Sequence, residues 1–118
     1  MRHLLINKQI GYNDINVLVN IPIVTIEITQ KGQLISYGIS YCRPTDTWDI
    51  ITGIRHALKS ALDKIDFPID REEIWNIFVE EFKKIQMKQD IEYRIKAIRV
   101  RIKLDKLIEK CESHAKRN

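Results

Sequence analysis

Little in this 118-residue chain belongs to the residue types that build covalent or metal-centred chemistry. Its two cysteines, Cys42 and Cys111, lie far apart and lack the short spacing of a zinc site. Neither a metal centre nor a disulfide framework is expected, and both thiols are read as reduced and partly buried. The three histidines, His3, His56 and His114, are scattered along the chain. There is no Gly-x-Ser-x-Gly elbow, no Walker loop and no His-Glu-x-x-His helix. An enzyme is therefore not expected, nor a cofactor. No apolar run approaches the roughly 18 residues that a membrane span requires. Met1 to Lys8 is too short and too polar for a secretory leader. A cytoplasmic location and no membrane partner follow as expectations.

What is present divides into two periodicities within a single expected domain, residues 1–118. Along 1–42 apolar residues alternate, as on strands. His3 to Ile6 reads as a short first strand, followed by a turn at Gly11-Tyr12-Asn13-Asp14. Val17 to Ile28 is a second stretch, with Val17, Val19, Ile21 and Ile23 on one face and Val24, Ile26 and Ile28 on the other. The phase change near Pro22 predicts a bulge or bend, because proline cannot donate to a ladder. Gln30-Lys31-Gly32-Gln33 reads as a hairpin turn, and Leu34 to Cys42 as a third strand. A three-stranded antiparallel sheet is the expectation.

Beyond Pro44 the period becomes helical. Residues 45–66 predict a packed helix, running from about Thr47 to Asp66, with Thr45 or Asp46 as its N-cap. With Asp46 as cap, Asp49 falls at the third helical position, where its carboxylate favours the helix dipole. Ile51, Ile54, Leu58, Ala61, Leu62 and Ile65 form its apolar stripe. Gly53 costs this helix about 1 kcal/mol relative to alanine, and Gly38 offers space on the sheet, so close helix–sheet contact is expected. Phe67-Pro68 ends the helix. Residues 70–112 predict a further helical region, opening on a capping-box-like Asp70 and Glu73 and running through Ile74, Phe78, Phe82 and Ile85. Ile98 to Asp105 alternates strictly and reads as either strand or helix. Helix is preferred because no turn residue separates it from its flanks. As a helix it is apolar on two sides, through Ile91, Ile95, Ile98 and Ile102 and through Val100, Leu104, Leu107 and Cys111. Neighbours on both sides then imply another subunit, hence a homo-oligomer. The whole is expected to be an α+β chain: a small sheet, a packed helix and a long C-terminal helical region.

The formal charge of +4 is uneven, at +1 over residues 1–42, −2 over 43–90 and +5 over 91–118. Lys96, Arg99, Lys103, Lys106 and Lys110 recur at three and four residues, making one stripe. Such a stripe suits phosphate contacts along nucleic acid, although no aromatic residue interleaves it for base stacking. A solvated face is the competing reading. A second polar cluster lies at the strand–helix junction: Arg43, Thr45, Asp46, Thr47 and Trp48, with Arg55 and Lys59 on the following helix. That set suits a nucleotide, with Trp48 or Tyr41 stacking the base, Asp46 accepting ribose hydroxyls and Arg43 and Arg55 pairing phosphate. Against it, Thr45 and Asp46 serve equally well as caps and Trp48 as core.

The pattern Gly38-x-x-x-Cys42-x-Pro44-x-Asp46, followed by Gly53 and the Ala57 and Ala61 stripe, resembles the small phage-encoded Thoeris anti-defence proteins that act as nucleotide sponges. The resemblance covers roughly Lys31 to Ile65. It implies a non-catalytic homo-oligomer that sequesters a cyclic ADP-ribose-like signal, with Arg43, Asp46, Trp48, Arg55 and Lys59 at the ligand. The favoured expectation is sequestration of a small anionic nucleotide. The alternatives are a basic nucleic-acid-binding accessory protein, or an inhibitor that engages a host protein through its C-terminal helix.

Overall fold

The structure, a computed structural model, describes residues 2–41 and 49–116, with side chains described up to residue 113. Four strands, β1 (His3–Ile10), β2 (Asn13–Asn20), β3 (Ile23–Gln30) and β4 (Gln33–Tyr41), pair antiparallel in the order β1-β2-β3-β4. Two helices follow, α1 (Ile50–Asp63) and α2 (Arg71–Lys116). The class is α+β, as the sequence implies, but the sheet has four strands rather than three.

The difference arises at Ile21–Pro22, whose peptide is cis. Instead of bending there, the chain reverses, so the stretch from Val17 to Ile28 is a hairpin. Val17 pairs with Ile26 and Val19 with Val24. All four are buried, so the expected split of this stretch between two faces is corrected. The phase change in the sequence is the signature of the turn. β1 also extends to Ile10 rather than stopping at Ile6, because the reversal is confined to Gly11 and Tyr12. The two remaining hairpins close on left-handed residues, Gly11 at φ 62° and Lys31-Gly32 at φ 51° and 78°.

Two compact units divide the chain, Met1–Val79 and Glu80–Asn118. In the first, one sheet face supplies Ile15, Val17, Val24, Ile26 and Ile28 to the core. All six residues of the expected α1 stripe, from Ile51 to Ile65, are buried. Gly38 makes the contact possible, since a Cβ there would lie 1.9 Å from the Ala57 carbonyl oxygen. A Cβ on Gly53 would reach 3.1 Å from Val24 Cγ2, so both glycines serve close approach as expected. Ser36 Oγ donates to the Ala61 carbonyl, and Lys64 Nζ donates to the Tyr37 carbonyl at 2.8 Å.

The limits of α1 correct the sequence reading at both ends. Asp49 is the N-cap rather than the third helical residue; its carboxylate accepts from Ile51 N at 3.1 Å and from Thr52 Oγ1 at 2.8 Å. The alternative caps, Thr45 and Asp46, lie outside the described residues. At the other end α1 stops at Asp63, before Phe67-Pro68. Arg71 Nη2 donates to the carbonyls of Ile65 at 2.8 Å and Leu62 at 3.3 Å, the latter also accepting from Ile65 N at 3.1 Å, so the guanidinium adds a donor where α1 ends. The start of α2 is capped as expected, with Asp70 Oδ1 accepting from Glu73 N at 3.0 Å.

α2 is unbroken to Lys116, so Ile98 to Asp105 is helix, not strand. Its alternation arises from two apolar strips on opposite sides of one helix. Ile74, Phe78 and Phe82 are buried, whereas every residue from Gln86 to Ser113 is exposed. Cys111 is among the exposed residues, which corrects the expectation that it is partly buried.

Candidate anion-binding surface

Of the junction residues, Cys42, Arg43, Thr45, Asp46, Thr47 and Trp48 lie outside the described residues. Arg55 and Lys59 stand exposed on successive turns of α1. Lys59 Nζ is held 2.7 Å from the Asp63 carboxylate, so its charge is offset locally. Tyr41 does not converge with them. α1 packs on the face of β4 that carries Ser36 and Gly38, and strand alternation turns Tyr41 to the opposite face. His56 is exposed, and among the described residues no group of three or more His, Cys, Asp or Glu side chains could hold a metal ion.

The second cluster is intact. At roughly 100° per residue, Lys96, Arg99, Lys103, Lys106 and Lys110 fall on one side of α2, and all five are exposed. They extend over about 21 Å of helix axis. Among the described residues none of the five has an ion-pair or hydrogen-bond partner. The contrast lies within the same helix, where Lys83 pairs with Glu80 at 3.1 Å and Lys84 with Glu81 at 3.3 Å. Each cation of the stripe has a like-charged neighbour three or four residues away, an arrangement that costs an isolated helix a few tenths of a kcal/mol per pair. A bound anion relieves that repulsion.

The stripe also continues a particular line along the helix. Stepping by seven from the buried Phe82 leads to Gln89, then to Lys96, Lys103 and Lys110. The side that is apolar at Ile74, Phe78 and Phe82 is therefore cationic further on. The apolar residues of this later part sit elsewhere, in the two strips read from the sequence. Ile91, Ile95, Ile98 and Ile102 are 43–59% exposed, and Val100, Leu104 and Leu107 are 53–57% exposed.

The meander also forms a feature that sequence reasoning missed. A cleft of about 430 Å³ is lined by Tyr12, Gln30, Lys31, Gln33 and Ile35, where the first and third hairpin turns share one end of the sheet. The signal was the count of reversals. With three hairpins, the Gly11-Tyr12 and Lys31-Gly32 turns must come to the same end, whereas a three-stranded reading separates them. Comparison of the chain with protein-family models, with curated proteins and with solved structures gives no match.

Proposed function

We propose that the protein is a non-catalytic binding protein that works as a homo-oligomer and holds an anionic partner on α2, nucleic acid being the polyanion its stripe suits. One observation carries this reading: five exposed cations in helical register, none with a partner among the described residues. A duplex presents phosphates at regular intervals and releases condensed counterions when cations replace them. The exposed apolar strips support self-association, because two such strips on one helix ask for neighbours.

Fluorescence anisotropy with a labelled DNA duplex tests the reading. Affinity is expected to fall steeply with salt, and Lys103→Glu with Lys106→Glu is expected to abolish binding without changing the thermal melt of residues 1–79. Binding that ignores both salt and these substitutions removes the proposal.

A second reading is sequestration of a small anionic nucleotide of the cyclic ADP-ribose type, in the manner of a phage anti-defence protein. It is supported by Arg55 and Lys59, exposed one turn apart within the segment that carries the resemblance. The Lys59–Asp63 ion pair weakens it. Heating purified protein and weighing what is released separates the two. An intact nucleotide in stoichiometric amount supports sequestration, and a hydrolysed product rules it out.

A further inference from the structure

The isoleucine strip of α2 is part of a longer series ordered by charge. Stepping alternately by four and three residues from Lys84 gives Lys84, Lys88, Ile91, Ile95, Ile98, Ile102, Asp105 and Glu109. At roughly 100° per residue all eight lie within about 100° of arc. Cations occupy one end, isoleucines the middle and carboxylates the other end. Every member is exposed. Among the described residues Lys84 pairs with Glu81, whose side chain is only 15% exposed, and Lys88, Asp105 and Glu109 have no partner.

We propose that this series is an interface with a second copy of the chain, in which the two α2 helices run antiparallel about the point midway between Lys96 and Ala97. In that register Ile95 meets Ile98 of the other copy and Ile91 meets Ile102. Lys88 then faces Asp105 of the other copy, and Lys84 faces Glu109. Each of these four contacts occurs twice by symmetry. The four–three spacing is that of a heptad seam, in which apolar side chains of one helix fill gaps in the other. Parallel pairing in register would instead set lysine against lysine at one end and carboxylate against carboxylate at the other. Charge complementarity therefore selects the antiparallel sense.

The opposite strip lacks this charge order. Stepping back from Cys111 alternately by four and three residues gives Leu107, Leu104, Val100, Ala97, Tyr93, Asp90 and Gln86, with no cation among them to meet a carboxylate of a second copy.

The pairing has a consequence for the anion surface. The basic stripe lies about a quarter-turn from the isoleucine strip. The two-fold axis of an antiparallel helix pair is perpendicular to both helices, so it leaves the two stripes on the same side. Together they form one face of ten cations, five from each copy, about 40 Å long. The anion site is thus completed by the second copy. This inference deepens the proposed function and rests on the self-association stated there.

A distance measurement and a charge exchange test it on the full-length chain. In a Cys42→Ser chain, a spin label on the exposed Cys111 is expected to report a label-to-label separation of about 44 Å in the dimer, against less than about 20 Å for parallel helices. Lys84→Glu with Lys88→Glu is expected to weaken the dimer roughly tenfold or more, by replacing four attractive contacts with repulsive ones. Adding Asp105→Lys and Glu109→Lys is expected to restore it. A short separation, or an exchange that fails to restore the dimer, overturns the antiparallel register while leaving anion binding by the stripe intact. A chain that stays monomeric at high micromolar concentration overturns the self-association as well.

Discussion

Isoleucine is treated in opposite ways in two regions of this molecule. Among residues 1–79, Ile15, Ile26, Ile28 and Ile54 are completely buried between sheet and helix. Along α2, Ile91, Ile95, Ile98 and Ile102 remain about half exposed. The first region buries its apolar residues among a four-stranded meander, α1 and the first turns of α2, which supply Ile74 and Phe78. In the second, every residue of the helix from Gln86 to Ser113 is exposed, and isolated helices of limited length are marginal in water. The contrast teaches that the two regions treat apolar residues differently: the first buries them and the second displays them. Under the proposed self-association, a second copy covers what the second region displays.

The largest expected effect breaks the first region alone. Gly38→Ala would drive a methyl group into the Ala57 backbone, so α1 must move off the sheet. A loss of about 3 kcal/mol or more is expected by thermal or urea denaturation of residues 1–79. Next comes a matched pair of truncations. Leu58→Ala, in the completely buried stripe, is expected to cost about 2–5 kcal/mol. Ile98→Ala is expected to cost the same region less than about 0.5 kcal/mol while weakening self-association, as read by sedimentation. An equal lowering of the melt of residues 1–79 by the two substitutions would contradict the division between the two regions. A smaller loss, about 1 kcal/mol, is expected for Arg71→Ala, which leaves the Leu62 and Ile65 carbonyls without their guanidinium donor. Smallest of all is Lys59→Ala. Its ion pair with Asp63 is solvated on both sides, and denaturation should shift by less than about 0.5 kcal/mol.

Legibility in the sequence followed the same division. The α1 stripe and the Asp70 cap could be read directly, because burial and capping impose local patterns on Ile54, Leu58 and Glu73. The two glycine contacts were legible for a related reason, since a glycine within a strand or helix invites a packing explanation. The strand count was misread at Pro22, where a bend and a reversal leave similar local patterns. Only the pairing of Val17 with Ile26 distinguishes them. Likewise the cap fell on Asp49 although Thr45 and Asp46 carry equally suitable side chains, and nothing local ranks the three. Of the candidate sites, the stripe from Lys96 to Lys110 was legible because helical periodicity alone defines it. That Tyr41 faces away from Arg55 was not legible, since it depends on which face of β4 receives α1.

Amide hydrogen exchange at two protein concentrations tests most directly whether the later part of α2 depends on a second copy. The expected result is that protection of residues 86–113 rises with concentration, while protection of the sheet amides stays constant. Strong protection of residues 86–113 in dilute solution, unchanged on concentrating the protein, would contradict it.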